Sequence, residues 1–446
     1  MSGVRVHNED LARLGLTLPG FIERGQTIAA LPSLGLLSVA AHSPPHWHFE
    51  YREIDALGPD HAEGIAKQNY DIVAISSLSA RINDAYKLAD SLMNMGVFVV
   101  LGGLHASALP QEAMAHANSI VKGEGEFLWA DLLSDFEQGN CKALYSQNDR
   151  IGKAFTFSHA KVPRYDLLEP EQYNRISLQT TRGCPLACTF CGSSRTISAY
   201  KRKAHALIQQ EIEAILKIWP EPFIELADDN TFVDKSWSKE LMHIFRPYKI
   251  PWFTETDLSA AYDEYLLDCI AEAGCAGLLI GFESMEKEQL KKAEPRGFKA
   301  FVLPHAGEKI AAAQSRGIPV TGCFVFGFDE DDAGIFERSL EYIDSLELCD
   351  VQITLLTPFA GTPLFETLKS QNRLFSPMDW SRFTLFDTTF KPARMSSDEL
   401  ESGFRWLMEK LYSQERTQAR KQRFQRITKA RLRASKASEN KGQAHE

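Results

Sequence analysis

The sequence has little of what membrane-spanning or secreted chains carry. No stretch approaches the roughly 18 consecutive apolar residues that a membrane-spanning helix needs. The opening MSGVRVHNEDLARLGL lacks the charged-then-apolar order of a secretory signal. Cysteine is sparse as well, with eight residues among 446. We therefore expect a cytoplasmic protein with no membrane partner, in which clustered thiols more often bind metal than form disulfides.

Basic charge is scarce outside the C-terminal end. Residues 416–446 hold 10 Lys and Arg beside two Glu, which leaves 39 basic and 57 acidic residues for the rest, a net charge near −18. Because nucleic-acid binding depends on Lys and Arg that neutralise phosphates, this acidic body argues against broad nucleic-acid binding. The length, with 44% hydrophobic and 24% charged residues, is typical of two or three well-cored globular domains. The alternation of apolar runs and helical stretches along the chain predicts the α/β class for them.

Short apolar runs alternate with helical stretches between about residues 34 and 126. This order predicts a Rossmann-like parallel sheet with helices on both faces. The predicted strands are 34–41, 50–55, 70–77, 97–103 and 119–126. Ligands of such sheets sit beyond the carboxyl ends of the strands. The residues expected along that rim are Ser76, Ser77, Gly102, Gly103, His105, Glu124 and Gly125.

A second alternating region predicts a partial (β/α)6 barrel with its chemistry in the loops after the strands. Its candidate strands are 175–181, 222–228, 251–257, 276–284, 318–328 and 350–358. A helical extension follows, and Ser396 and Glu399 form a capping signal at its start. We thus predict four regions: a Rossmann-like domain (1–135), a connector (136–172), the barrel (173–390) and a helical extension with a basic tail (391–446).

Three cysteines stand close together directly after the first predicted barrel strand. Cys184, Cys188 and Cys191 lie in TRGCPLACTFCGSS, with three and then two residues between them. A loop after a strand lets their side chains converge on one point. Soft thiolates select zinc or iron–sulfur clusters. A structural zinc site, the alternative, needs a fourth ligand nearby, yet residues 192–204 contain neither Cys nor His. Three ligands on a 4Fe-4S cluster leave one iron open for substrate or cofactor.

This motif, with Phe190 before the last cysteine, resembles that of the radical S-adenosylmethionine (SAM) enzymes. The resemblance implies that the open iron chelates the amine and carboxylate of SAM, that Phe190 packs near the adenine, and that an electron from the cluster cleaves SAM to methionine and a 5'-deoxyadenosyl radical. Later strand ends resemble the family as well. They imply SAM contacts from Ala227, Asp228, Asp229, Glu283 and Gly322.

These later residues have simpler explanations. Asp228 and Asp229 precede Asn230, and all three favour turns through local side-chain hydrogen bonds. Glu255 and Asp257 alternate at a strand end, where they face either the barrel mouth or solvent. No residue is assigned a catalytic role from the sequence.

The segment VVLGGLHASALPQEAMAHANSIVKGEGE resembles the late part of a cobalamin (B12)-binding domain, which precedes the barrel in one large subgroup of the family. Its glycines let the backbone approach a bulky corrin closely. Many such domains supply a cobalt-ligating histidine from a D-x-H-x-x-G motif. Here Asp60 and His61 are adjacent and fall in a helical stretch, so we expect cobalamin without a protein histidine ligand. The alternative is a cobalamin-type fold that binds nothing or recognises substrate.

Other chemistry-bearing residues carry weaker signals. His42, His46 and His48 suggest a metal site but fit an exposed loop better. Cys269, Cys275, Cys323 and Cys349 lie among apolar residues and fit a core role better than a second cluster. A basic tail at 416–441 is by default solvated or disordered, with RNA contact as a second interpretation.

The pattern as a whole predicts a radical SAM enzyme that methylates an unactivated carbon of a small-molecule substrate. One SAM would supply the radical and another would remethylate cobalt. An external reductant such as flavodoxin or ferredoxin is the implied partner. The alternatives are cyclisation, rearrangement or oxidation with the same cofactors, and a non-catalytic iron–sulfur redox or sensor protein. The substrate itself is not readable from the sequence.

Overall fold

The computed structural model describes residues 31–54, 57–147, 155–193 and 197–443. The chain divides into two compact units. The first comprises Ile28–Pro222 and Thr357–Phe390, and the second comprises Phe223–Leu356 and Lys391–Glu446 together with a short N-terminal segment outside the described residues. The chain therefore leaves the first unit after residue 222 and returns to it for 34 residues before the C-terminal helices.

The first unit contains a four-stranded sheet whose strands are parallel and stand in chain order. Its strands are β1 (Ile72–Ser76), β2 (Phe98–Gly102), β3 (Ser119–Lys122) and β4 (Leu144–Ser146). Buried side chains cover both faces. Val99 and Leu101 belong to one apolar cluster, whereas Val100 belongs to another with Trp129. Burial on both faces is typical of a parallel sheet with helices on either side.

Further along the first unit lie three short strands, β5 (Ile176–Leu178), β6 (Thr181–Arg182) and β7 (Lys201–Arg202), of which β6 and β7 pair antiparallel. The α-helices described in this unit are Leu34–Ala41, His61–Ala66, Ile82–Asn94, Leu104–Ala108, Pro110–Ala113, Gly125–Glu137, His205–Ile218 and Pro363–Ser370.

Two predicted strands at the start of the sequence are wrong. Residues 34–41 form a helix, with Leu37 as its fully buried residue. Residues 50–54 form no strand, and residues 55 and 56 lie outside the described part of the chain. An eight-residue apolar run does not distinguish a strand from a buried helix by periodicity, and its Leu and Ala residues favour the helix. The three histidines of 42–48 therefore follow a helix rather than a strand.

The second unit holds a parallel sheet with the described order β12-β11-β10-β9-β8. These strands are β8 (Ile224–Leu226), β9 (Trp252–Thr256), β10 (Cys275–Glu283), β11 (Val320–Phe326) and β12 (Asp350–Leu355). Along β11 fully buried residues alternate with half-buried ones. This alternation is typical of a barrel strand that packs against helices on one side and lines an interior on the other. The five strands coincide with five of the six predicted barrel strands, and the sixth prediction contains β5.

The helices of the second unit follow its strands and then form the C-terminal extension. They are Lys235–Phe245, Glu264–Glu272, Lys287–Ala293, Phe298–Val302, Ala306–Ser315, Ile335–Ser345, Ser397–Leu411 and Gln414–Gln443. The predicted capping signal is present: the Ser396 hydroxyl accepts a hydrogen bond from the Glu399 N–H, and the Glu399 carboxylate accepts one from the Ser396 N–H. No described helix is both long and apolar enough to span a bilayer.

The basic tail forms a helix, in line with the predicted helical extension. The helix spans residues 414–443, and most of its described side chains beyond Arg420 are exposed or half-buried. Arg416 pairs with Asp344 at 3.1 Å, Arg420 is buried, and Arg431 donates a hydrogen bond to the Arg316 carbonyl at 2.6 Å. These three arginines thus attach the helix to the second unit.

The boundaries of the four predicted regions stay a prediction. The strand β4 (Leu144–Ser146) pairs with β3 and belongs to the first sheet, although these residues fall within the predicted connector.

Candidate cluster and cofactor sites

The loop that carries the three cysteines begins at the end of β6 and turns sharply. Gly183 has a φ of 77°, and a Cβ there would lie 2.7 Å from the Ser198 carbonyl oxygen. A side chain at this position is therefore excluded both by the left-handed backbone and by the close approach of the returning chain. The turn sends Cys184 away from the strand and into the loop.

The three thiols differ in exposure. Cys188 is buried, whereas Cys184 and Cys191 are half-buried. The Cys191 N–H donates a hydrogen bond to the Cys188 carbonyl oxygen at 3.3 Å, which places the last two cysteines on one tight turn. All eight cysteines lie in the described part of the chain, and none forms a disulfide. The loop thus presents three thiols from one short segment.

The expected convergence of the three side chains on a single point is not seen. Within the described residues, no three His, Cys, Asp or Glu side chains are close enough together to hold one metal ion. Tetrahedral zinc needs such a convergence. A 4Fe-4S cluster does not, because each thiolate binds a different iron at a separate corner. The donor set, three thiolates on one loop, fits the iron–sulfur cluster.

The end of the cysteine loop contacts the segment Thr357–Phe390, which the sequence analysis did not single out for this role. The Thr189 carbonyl oxygen accepts a hydrogen bond from the Leu364 N–H at 3.0 Å. A Cβ at Gly192 would lie 3.2 Å from the Phe359 side chain. Phe190, between these two contacts, is half-buried. The returning segment therefore fixes the part of the loop predicted to face adenine.

The strand ends of the second unit hold several predicted SAM contacts. Ala227 is exposed at the end of β8 and Asp229 is half-buried. Asp228 is buried and accepts a hydrogen bond from the Thr231 hydroxyl at 3.0 Å. The neighbouring Asn230 donates to Asp257 at 2.6 Å. Asp228 thus has the turn role that was its simpler explanation, while its predicted cofactor contact, like those of Ala227 and Asp229, stays a prediction.

Glu255 lies among other carboxylates at the strand ends of the second unit. The residue is exposed, yet desolvation by the surrounding protein and the carboxylates of Glu225, Asp229 and Glu283 together raise its pKa to about 7. These carboxylates come from three adjacent strands, so they form a negatively charged wall, and a cation is the ligand that such a wall favours. Asp257 is buried in the turn with Asn230.

Glu283 lies at a strained position. Its φ is 65°, and the pairing of β10 with β11 is irregular between Gly281 and Glu283. The carboxylate pairs with the buried Lys299 ammonium at 2.7 Å, and the same ammonium donates to the Gly281 carbonyl oxygen at 2.5 Å. Lys299 therefore holds Glu283, a predicted SAM contact, in place, a role that no local sequence signal indicated.

Gly322, the remaining predicted SAM contact, has a separate packing reason for being glycine. A Cβ at this position would lie 2.6 Å from a methyl carbon of Leu348 and 3.1 Å from the Phe324 ring. The residue thus belongs to the fully buried side of β11, and its contact with SAM stays a prediction.

Asp331 closes the turn after β11. One carboxylate oxygen accepts hydrogen bonds from the Gly327 and Phe328 N–H groups at 2.8 and 3.0 Å. The other oxygen is buried and has no hydrogen-bond partner among the described residues. Burial raises the pKa of Asp331 to about 7, although the two N–H groups oppose the shift. The carboxylate form is therefore costly at neutral pH.

This raised pKa predicts a pH-dependent stability. The folded state binds the Asp331 proton more tightly than the unfolded state, so unfolding free energy falls as pH rises from about 4 to about 7 and is constant above. Relative to the unsubstituted protein, Asp331→Asn should gain stability on the order of 2 kcal/mol between pH 5 and pH 8. Urea unfolding at both pH values measures this. The exposed neighbour Asp332 has a pKa lowered by Arg338, so Asp332→Asn should show no such gain, and equal behaviour of both variants would contradict the assignment.

The predicted cobalamin rim lies at the carboxyl ends of the first sheet. Ser76 and Gly102 are the last residues of β1 and β2 and stand opposite each other in the ladder. Gly103 has a φ of 90°, and a Cβ there would lie 2.8 Å from the Ser76 hydroxyl. Ser77 is buried, and Gly125 packs against Val39. The rim thus offers backbone at close range, which suits a corrin, while the individual contacts stay predictions.

His105 is placed in the core. It is buried, and its two ring nitrogens lie 3.0 Å from the Ser79 hydroxyl and 3.2 Å from the Glu112 carboxylate. Trp380 packs edge-on against the ring at 4.8 Å and donates a hydrogen bond to the same carboxylate. A contact between His105 and a cofactor stays a prediction, and the structure gives the ring a satisfied environment without one.

The other histidines near this sheet are engaged elsewhere. His42 is buried, and burial lowers its pKa. His46 lies 2.6 Å from the Glu137 carboxylate, and His61 accepts a hydrogen bond from the Gly58 N–H at 2.6 Å. Of the four remaining barrel cysteines, Cys269 and Cys275 are buried, and Cys323 and Cys349 are half-buried.

Comparisons with known proteins agree with this geometry. Residues 29–133 match the B12 binding domain family, and residues 362–445 match a domain of unknown function, DUF4070. The bacteriochlorophyllide d C-12(1)-methyltransferase of Chlorobaculum tepidum is 26% identical over 77% of this chain and 75% of its own length.

Two solved structures share the fold. The radical SAM methyltransferase TsrM from Kitasatospora setae, solved with cobalamin and a [4Fe-4S] cluster, has a TM-score of 0.61 at 15% identity over 70% of this chain and 66% of its own. The cobalamin-dependent SAM radical enzyme OxsB, solved with aqua-cobalamin, has a TM-score of 0.63 at 14% identity over 78% of this chain and 60% of its own. The predicted fold class is confirmed. The domain match, the relative and the fold bear out the predicted resemblance to radical SAM enzymes with an N-terminal B12-binding domain.

Proposed function

We propose that this chain is a cobalamin-dependent radical SAM methyltransferase that acts on an unactivated carbon of a small molecule. The observation that carries the proposal is the loop with Cys184, Cys188 and Cys191, in a chain whose preceding domain matches the B12-binding family. When bound, the cluster supplies the electron that cleaves SAM, and cobalamin supplies a methyl group for transfer to carbon.

The protein groups hold and orient these cofactors. The three thiolates would hold the cluster through three of its irons and leave the fourth to SAM. SAM carries a positively charged sulfonium, and the acidic wall of Glu225, Asp229, Glu255 and Glu283 attracts it. Ala227 and Glu283 supply further contacts at the same strand ends. Phe190 packs against the adenine.

Cobalamin is bound by shape and backbone in this proposal. Gly102 and Gly103 allow close approach to the corrin, with the hydroxyls of Ser76 and Ser77 beside them. His61 opens a short helix and already accepts a hydrogen bond from the Gly58 N–H, so it is not assigned to cobalt. In this proposal the enzyme acts in the cytoplasm, where a flavodoxin or ferredoxin supplies electrons.

Anaerobic turnover with methyl-deuterated SAM tests the proposal. The reconstituted protein, hydroxocobalamin, a reductant and a small-molecule extract are expected to yield 5'-deoxyadenosine together with a product that carries the deuterated methyl group. Deoxyadenosine with a product that gains no methyl would indicate cyclisation or oxidation instead. An intact cluster that yields no deoxyadenosine would indicate a redox or sensor protein.

The corrin spectrum tests how the protein binds cobalamin, independently of SAM cleavage. His61→Ala is expected to retain hydroxocobalamin as well as the unsubstituted protein does, because the histidine is not a cobalt ligand. A shifted corrin spectrum in this variant would contradict the assignment of backbone-only binding.

A further inference from the structure

Arg182 joins two segments that carry different predicted cofactors. It is the last residue of β6, two positions before Cys184. Its two terminal nitrogens donate to Glu124 at 2.9 Å and to Glu126 at 2.7 Å. These glutamates flank Gly125 on the cobalamin rim, directly after β3. A single guanidinium thus connects the entry of the cysteine loop to the rim.

The connection is buried and densely paired. The Arg182 side chain is 15% exposed, and those of Glu124 and Glu126 are 4% and 6% exposed. Lys201 donates to both Glu124 oxygens at 2.7 Å, and Gln147 donates to the same carboxylate at 3.0 Å. Burial at such low exposure makes each charge dependent on its partners.

Aromatic rings complete the surroundings of the guanidinium. Arg182 lies over the rings of Phe155 and Phe157 at 5.6 and 5.0 Å from their centroids. Burial raises the pKa of Glu126, but the charge and hydrogen bond of Arg182 outweigh it, so the pKa is lowered overall. The Glu126 carboxylate is therefore held charged against the arginine.

The same arginine also belongs to the frame of the cysteine loop. Arg182 pairs with Lys201 in the β6–β7 ladder, so both cations that reach Glu124 come from the two strands that bracket the loop. Gly183 then packs against the backbone of Ser198 and Ala199. Movement of Arg182 would carry Gly183 and Cys184 with it.

We propose that Arg182 is a positioning residue that fixes the cysteine loop by fastening its first strand to the Glu124 and Glu126 carboxylates of the B12-binding domain. A guanidinium suits this role because its planar fork reaches two carboxylates at once, whereas an ammonium is a single point charge. The inference deepens the proposed function, on which its cluster readout rests.

Hydrogen–deuterium exchange of the full-length protein without iron tests the positioning directly. In Arg182→Gln, amides of the peptide that spans residues 183–193 are expected to exchange severalfold faster than in the unsubstituted protein, because the loop has lost its fastening. Arg182→Lys should lie between the two. Should Arg182→Gln not fold, Glu126→Gln removes one of the two contacts and is expected to show a smaller increase in the same peptide.

Arg81→Gln is the matched control. Arg81 is also a buried arginine of the first unit and pairs with Asp84 at 3.1 Å. Its replacement removes a buried guanidinium and its single ion pair without touching the cysteine loop or the two carboxylate partners of Arg182. If the exchange rate at residues 183–193 increases as much in Arg81→Gln as in Arg182→Gln, the increase reflects general destabilisation and the proposal is overturned. An unchanged exchange rate in Arg182→Gln would overturn it as well.

Iron retention supplies the second readout. After reconstitution, transfer of iron to a chelator is expected to be about tenfold faster from Arg182→Gln than from Arg81→Gln, since groups that support metal ligands typically alter affinity on that scale. Equal rates in the two variants would count against the proposal. An unsubstituted protein that binds no iron at all would refute the proposed function instead, and the exchange experiment would still decide the role of Arg182.

Discussion

A Cys188→Ala protein is expected to assemble no 4Fe-4S cluster and to form no 5'-deoxyadenosine. Cys188 is the middle cysteine of the loop and the most buried of the three, with 8% of its surface exposed. Water cannot readily replace a buried ligand, so its loss leaves one iron without a donor. Iron and sulfide analysis, the visible absorption of the cluster and chromatography of SAM cleavage products measure the result.

Cys269→Ala provides the comparison for this variant. Cys269 has 5% of its surface exposed and lies in the helix Glu264–Glu272 of the second unit, where it packs as a small apolar residue. It is expected to retain iron and SAM cleavage. Equal iron content in the Cys188 and Cys269 variants would mean that the loop is not the cluster site and would remove the basis of the proposed function.

The cysteine motif and the barrel strands could be predicted because their signals are local. The spacing of Cys184, Cys188 and Cys191 is visible within eight residues. The buried runs that became β8 to β12 are bounded by turn residues. Each of these features depends on neighbours in sequence, so one chain is enough to find them.

The helix Leu34–Ala41 could not be predicted in the same way. Its eight residues are almost uniformly apolar, and a run of that length fits both a buried strand and a buried helix. The choice depends on what packs around it, such as the approach of Val39 to Gly125, which lies far along the chain. Because the later apolar runs form strands that alternate with helices, residues 34–41 are expected to form a strand as well. Packing instead selects a helix.

The environments of the predicted cofactor residues depend on contacts between residues that are far apart in the sequence. Glu112, which bonds His105, also accepts a hydrogen bond from Trp380, 268 residues later in the chain. Glu124 meets Arg182 across 58 residues. The rule that ligands bind at strand ends placed His105 and Glu124 on the rim, but it carries no information on which side chains return to pair with them. The position of Arg182 directly before Gly183 and Cys184 is visible in the sequence. The identity of its partners, Glu124 and Glu126, is not.

The largest expected change in stability comes from the ion pair of Lys203 and Glu211. The Lys203 ammonium lies 2.6 Å from the Glu211 carboxylate, and the two side chains are 4% and 0% exposed. Lys203→Met removes the ammonium and leaves a buried carboxylate without that charge, which typically costs about 3–5 kcal/mol of unfolding free energy. Urea unfolding at neutral pH measures it.

Two further variants identify the origin of this loss. In Lys203→Met/Glu211→Leu both charges are absent, and most of the lost stability should return, because replacing a whole buried pair by apolar groups is often neutral. Lys239 pairs with Asp263 at the same 2.6 Å distance, but these side chains are 29% and 25% exposed. Lys239→Met should therefore cost less than about 1 kcal/mol. Comparable losses in the two lysine variants would show that burial does not determine the strength of these pairs. A double variant no more stable than Lys203→Met would assign the loss to packing of the lysine side chain over Phe157 rather than to the uncompensated charge.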